Sequence, residues 1–131
     1  MRLLLDTHIW LWSLLEPSRL GRRTAAALEH ADNELWLSPI SIWEALMLAE
    51  RGRVVLLPDA ERWVRTSLNA VPFHEAAVNS EVALASRALS IPSDDPADRF
   101  LVATARVYEL TLVTADIRLR RIPDVAVLPN S

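Results

Sequence analysis

The sequence predicts an α/β fold of three layers, α/β/α, around a small, mainly parallel central sheet. Three observations lead there. Short apolar runs of strand length alternate with helical segments of about ten or more residues. With only two glycines and no cysteine, the chain has no glycine-rich phosphate loop, disulfide framework or thiolate metal site. At 131 residues, 51% hydrophobic and 24% charged, it can bury about two-thirds of its unfolded surface around one core. A single domain spanning residues 1–131 is therefore expected.

The elements follow in order. Residues 2–5 read as a buried strand, and residues 8–15 as a helix apolar on nearly every side. Residues 21–31 form an alanine-rich helix, and residues 35–37 a second strand. Ser38-Pro39 starts a helix over residues 40–51 that Gly52 ends. Residues 59–68 are amphipathic, with Trp63 on the inner face. A short strand at 71–73 precedes a helix over 75–89, and the loop 90–95 leads into a helix over 96–109. Residues 110–113 are a strand, 116–121 a short helix and 125–128 the last strand.

Leu3-Leu4-Leu5 is cut at once by Asp6, and no apolar run approaches the roughly 20 residues that span a bilayer. A soluble, cytoplasmic protein without a membrane segment is expected, and the missing cysteine fits a reducing compartment. Net charge is −3, so the chain as a whole does not attract nucleic acid. Every basic residue is arginine. The absence of lysine excludes phosphoryl-accepting receiver domains, which need one beside their acids. Phosphatases of the haloacid-dehalogenase type need Asp-x-Asp after the first strand, and Asp6-Thr7-His8 lacks the second acid.

The acids are informative by position. Asp6 follows the first strand, Asp116 follows the strand 110–113, Glu44 lies one turn into the helix after the second strand, and Asp98 sits in the first turn of the helix feeding the strand before Asp116. Ligand crevices of open α/β sheets lie beyond the carboxyl ends of the strands, so all four carboxylates aim at one place. At about 4 Å, each like-charge pair costs roughly 4 kcal/mol at an effective dielectric near 20. Protons or cations must relieve this, and an all-oxygen donor set favours Mg²⁺ or Mn²⁺. Such an ion beside a phosphate points to phosphodiester hydrolysis.

Each acid also has a local reading. Asp6 serves equally as a helix cap. Ser41-Ile42-Trp43-Glu44 fits a capping box, although Ser38-Pro39 is the better start and leaves Glu44 on an apolar face with Ile40, Trp43 and Met47. Asp95 reads as a structural cap before Pro96, with Asp98 complementing the helix dipole. Asp116 could cap its own short helix. Asp94 reads as solvated loop, and His8 as a core histidine. The shared location of Asp6, Glu44, Asp98 and Asp116 carries the inference.

These residues resemble the PIN-domain family, and within it the VapC-type toxins of bacterial toxin–antitoxin pairs. Leu3-Leu4-Leu5-Asp6-Thr7-His8-Ile9-Trp10-Leu11-Trp12 resembles the family's first strand and acidic turn. Ser38-Pro39-Ile40-Ser41-Ile42-Trp43-Glu44 is similar to its second strand-to-helix segment. Asp95-Pro96-Ala97-Asp98-Arg99-Phe100-Leu101-Val102-Ala103-Thr104-Ala105 is similar to its most specific signature, and Leu112-Val113-Thr114-Ala115-Asp116 to its closing motif. The matches come in family order across nearly the whole chain. Departures fall at Ser93, Ala97 and Leu48, where the family often has histidine, an aromatic residue and lysine.

The resemblance implies a PIN-like fold and a Mg²⁺- or Mn²⁺-dependent endoribonuclease, the toxin of a VapBC-type pair. It implies Asp6, Asp98 and Asp116 as metal ligands, with Glu44 joining them or orienting the attacking water. Thr114 would support Asp116 or the bound water, and Arg99 is the nearest candidate for phosphate contact. It further implies an RNA substrate, a homodimer, and a cognate antitoxin that masks the pocket. The apolar helix faces around residues 8–15 and 40–49 are more than one small domain readily covers, which agrees with partners. A PIN-like binding module that keeps the pocket without cleaving remains the alternative.

Overall fold

The computed structural model describes residues 1–131. β1 (Arg2–Leu5) lies at the centre of a five-stranded sheet whose paired strands all run parallel. β2 (Glu34–Leu37) and β3 (His74–Glu75) lie on one side, β4 (Thr111–Thr114) and β5 (Val127–Pro129) on the other. The α/β/α expectation describes this architecture. Six helices accompany the sheet: α1 (Thr7–Leu15), α2 (Arg22–Glu29), α3 (Pro39–Glu50), α4 (Ala60–Ala70), α5 (Ser80–Ala88) and α6 (Pro96–Val107).

Consecutive leucines make β1 the central strand, because alternate side chains face opposite layers and both faces must then be covered. Leu3 and Leu5 pack with Val113, with Ile9, Trp10 and Leu11 of α1, and with Ala45 and Val64 of α3 and α4. Leu4 points the other way and packs with Leu112, with Val82 of α5, and with Val102, Ala103 and Ala105 of α6. Leu3, Leu4, Leu112 and Val113 are each 0% exposed, so the strands beneath the site are its most rigidly held part.

Helix ends follow local chemistry. Ser38 Oγ accepts the Ile40 amide at 3.1 Å, which makes Ser38-Pro39 the start of α3. The capping box on Ser41 does not form, since the Ser41 hydroxyl instead accepts the Thr7 hydroxyl at 3.0 Å. Gly52, just past α3, has φ +69°, a conformation that side chains resist.

Four elements differ from the sequence expectation. The strand placed at 71–73 lies at His74–Glu75, and the helix placed at 75–89 starts only at Ser80. Trp36 and Leu37 of β2 align with His74 and Glu75, and the Ala76 amide donates to the Leu37 carbonyl at 2.9 Å. Pairing with an open strand edge thus wins over helical pattern until Asn79, whose side chain accepts the Val82 amide at 3.0 Å and starts α5. The short helix at 116–121 is one 3₁₀ turn, Ile117–Leu119, and a second such turn, Pro17–Arg19, had no sequence signal. No helix is long and apolar enough to cross a membrane.

Candidate active site

The Asp6 amide donates to the Val113 carbonyl at 2.9 Å, which fixes the residue after β1 at the carboxyl end of the sheet. There a crevice of about 320 Å³ is lined by Asp6, His8, Trp12, Glu44, Asp95, Asp98, Ala115, Asp116 and Arg118. The four acids singled out by position share this one crevice.

Asp6 is buried and both of its oxygens are used. Oδ1 accepts the Thr7 amide at 2.7 Å, capping α1, and Oδ2 accepts the Thr114 hydroxyl at 2.6 Å. Cap and crevice wall are therefore the same residue. Burial, opposed by those donors and reinforced by the negative charge of Glu44, pushes the Asp6 carboxyl above its ordinary range. Thr114 Oγ1 also accepts the Asp116 amide at 3.0 Å, so one hydroxyl ties two of the acids together.

Asp98, in the first turn of α6, is also buried; its Oδ2 accepts the Ser93 hydroxyl at 2.7 Å. Ser93 in turn accepts the Asp95 amide at 3.2 Å, and Asp95 Oδ1 caps α6 by accepting the Ala97 amide at 3.0 Å. Burial first, then the charges of Asp95, Asp6 and Asp116, raises Asp98 against the pull of Ser93. Glu44 on α3 is partly buried, while its helical neighbour Trp43 is 55% exposed. Its carboxyl is raised by burial, opposed by the Thr7 hydroxyl and by His8.

Asp116 behaves oppositely. Its Oδ2 accepts Arg118 Nη2 at 2.7 Å, and Oδ1 accepts Arg118 Nε at 3.1 Å and the Arg118 amide at 2.9 Å. This fork-on-carboxylate pair holds the Asp116 carboxyl below its ordinary range. Arg118 Nη2 also reaches Asp98 Oδ2 at 3.3 Å.

The sequence reading is corrected at three residues. Arg99, expected as a phosphate contact, has its guanidinium tied to three backbone carbonyls, Ser86 at 3.0 Å, Ser93 at 3.2 Å and Leu89 at 2.7 Å. It fastens the end of α5 and the following loop to α6, and Arg118 is the arginine in the crevice. His8, read as a core residue, is exposed at the crevice rim beside Trp12. Asp95, read as purely structural, caps α6 and lines the crevice as well. The only available signal for Arg118 was its place two residues after Asp116, which does not say which way a one-turn helix directs a side chain.

The donor set suits a hard divalent cation. Five carboxylates and no sulfur line the crevice, and three of them hold protons more tightly than usual because their charge is under-compensated. No three acidic or imidazole groups stand close enough together to form a finished metal cage. Mg²⁺ does not require one, since it is usually held by one or two carboxylates plus water and substrate phosphate.

Fold and crevice together define a class: a parallel-sheet α/β protein with a carboxylate-lined crevice at the carboxyl ends of its strands. A model of the PIN domain matches residues 3–125, and the chain belongs to the PIN-domain family. It is 39% identical over 120 residues, 89% of this chain and 88% of the relative, to ribonuclease VapC22 of Mycobacterium tuberculosis (strain ATCC 25618 / H37Rv). Among solved structures it is similar to VapBC2 from Rickettsia felis bound to a DNA fragment from its promoter, with a TM-score of 0.73 at 16% identity over 98% of each chain. It is also similar to a toxin–antitoxin complex from Klebsiella pneumoniae, with a TM-score of 0.65 at 24% identity over 98% of this chain and 97% of that one. At these identities the two structures speak for the fold alone.

Proposed function

We propose that this chain is a divalent-metal-dependent endoribonuclease, the toxin of a VapBC-type pair. The observation that carries the reading is the gathering of Asp6, Glu44, Asp98 and Asp116 from four separate elements into one crevice. The named ribonuclease relative, matched along most of both chains, supports RNA as substrate. The fold shared with solved VapBC and toxin–antitoxin complexes supports an antitoxin partner.

Asp6, Asp98 and Asp116, with Glu44, would hold Mg²⁺ or Mn²⁺. Such a cation, when bound, lowers the pKa of water and stabilises in-line displacement at phosphorus. The chain's own groups prepare the geometry. Thr114 and Ser93 each fix one oxygen of Asp6 and Asp98, which leaves the carboxylates little rotational freedom. Glu44 would join Asp6, Asp98 and Asp116 at the cation or orient the attacking water. Val55, 72% exposed, lines an apolar groove with Leu46, Ala49, Val54 and Leu56, a surface that suits a homodimer or the antitoxin in the cytoplasm.

The test is to incubate the protein with RNA and Mg²⁺ or Mn²⁺, beside Asp6→Asn and Asp98→Asn. Cleavage that needs metal and disappears in both variants is expected. Equal activity in all three would identify a contaminant. No cleavage by a metal-binding wild type would leave a PIN-like binding module. A clean monomer by light scattering at micromolar concentration would remove the homodimer.

A further inference from the structure

A second groove, of about 350 Å³, shares His8 and Trp12 with the acidic crevice, so the two lie side by side with these rings between them. Their charge is opposite. Five acids and one arginine line the crevice, whereas Arg19 and Arg53 face a single acid, Glu16, in the groove. Neither Arg19 nor Arg53 is in an ion pair; the paired arginines are Arg2, Arg62, Arg65 and Arg118.

Two chain reversals bring these cations together. After α1, the turn Pro17–Arg19 carries the Arg19 guanidinium back over the Trp12 indole, 4.2 Å from the ring centroid. After α3, the left-handed Gly52 turns the chain so that the Arg53 amide donates to the Leu48 carbonyl at 2.9 Å, folding Arg53 back beside Leu48 on the groove wall. The Arg19 guanidinium covers this face of Trp12, so a base stacks there only when the guanidinium swings off the ring toward a phosphate.

We infer that this groove is a nucleotide subsite for single-stranded RNA, holding the nucleotide next to the cleaved phosphate with its base on Trp12 and its phosphate on Arg19 and Arg53. The inference rests on the ribonuclease reading and extends it. Even with a cation and Arg118 among them, five carboxylates repel the flanking phosphates, and a neighbouring positive track offsets that repulsion. Bases of unpaired RNA stack on aromatic rings and on guanidinium planes, and backbone phosphates seek arginine. This groove offers ring, cations and a wall shared with the crevice, in a volume typical of small-ligand sites.

The test measures anisotropy of a fluorescein-labelled mixed-sequence RNA decamer in Mg²⁺, on an Asp6→Asn background that does not turn over. The joint change Arg19→Gln with Arg53→Gln should weaken binding about 10-fold and reduce the slope of log K against log salt by about 1.4, the value for two lost phosphate contacts. Trp12→Leu should weaken binding about 10-fold with the slope unchanged, and Trp12→Phe should restore most of it. An arginine variant with the affinity and slope of its parent overturns the subsite while leaving the nuclease standing. If that variant binds RNA normally but loses a protein partner, the groove belongs to the partner and the inference also fails. If the parent binds no RNA and the wild type cuts none, the ribonuclease reading falls first and takes the subsite with it.

Discussion

Asp98 and Asp116 both touch Arg118, yet their carboxyls are displaced in opposite directions. Asp98 belongs to an inner wall with Asp6 and Glu44, where burial removes water and the direct side-chain donors at Asp6 and Asp98 are hydroxyls, apart from the longer Arg118 contact to Asp98. Asp116 belongs to the lip, where it is gripped at both oxygens by a guanidinium from its own helical turn. The chain neutralises the lip itself and leaves the inner wall short of positive charge. On the function proposed above, Asp6 and Asp98, which lack a strong ion-pair partner, would hold the cation more tightly than Asp116 at the mouth.

The largest effect that could break this contrast lies in catalysis. Asp98→Asn or Asp6→Asn should lower metal-dependent RNA cleavage by more than about 100-fold, because even residues that only support a ligand cost 10- to 100-fold. Single-turnover cleavage at saturating Mn²⁺ measures it. Activity within a few-fold of wild type in either variant would show that the inner wall does not hold the ion.

The two arginines nearest Asp98 give the next effect. Arg99→Met removes three hydrogen bonds to backbone carbonyls and should cost about 2–3 kcal/mol of stability by urea unfolding. Arg118→Met, at the exposed lip, should leave stability nearly unchanged and alter metal affinity instead. Equal losses in the two variants would mean that Arg118 is as structural as Arg99.

This pair also marks where the sequence stops being readable. The four acids were legible because each lies just past a strand or within the first two turns of a helix, and a parallel sheet sends all such positions to one end. β1 and β4 were legible because a buried strand needs an unbroken apolar run. The strand at His74–Glu75 was not, since its place depends on the free edge of β2, a partner nearly forty residues earlier. Arg99 and Arg118 carry the same charge near the same acid, and only tertiary packing, α5 against α6 for Arg99, decides that one binds carbonyls and the other carboxylates. His8 was misread because α1 is apolar nearly all round, so its one open stripe has no periodic signature.

Acidity should separate the wall from the lip in the metal-free protein. A carboxyl raised in the folded state favours folding most when protonated, so the contribution of Asp6, Glu44 and Asp98 is complete at low pH and lost as pH rises through their raised values. Asp116, lowered by Arg118, contributes above the ordinary carboxylate range and loses that contribution in strong acid. In EDTA, the melting temperature should therefore rise as pH falls from neutral toward the ordinary carboxylate range, and saturating Mg²⁺ should flatten the trend. A midpoint that falls steadily over that interval in EDTA would mean that the inner wall is not under-compensated.

The smallest effect is the sharpest, because it reverses sign between two identical substitutions. In EDTA at neutral pH, Asp98→Asn removes a desolvated charge while keeping an oxygen for Ser93, and should raise the melting temperature by a degree or two, about 0.5 kcal/mol. Asp116→Asn strips the guanidinium of its best acceptor, and at a half-exposed pair the loss should be of similar size and opposite direction. Adding Mg²⁺ should then stabilise the wild type well beyond Asp98→Asn, since the variant lacks one of the inner carboxylates that would hold the ion. Two shifts of the same sign in EDTA would collapse wall and lip into one environment, and the preference of a cation for the deep end of the crevice would go with them.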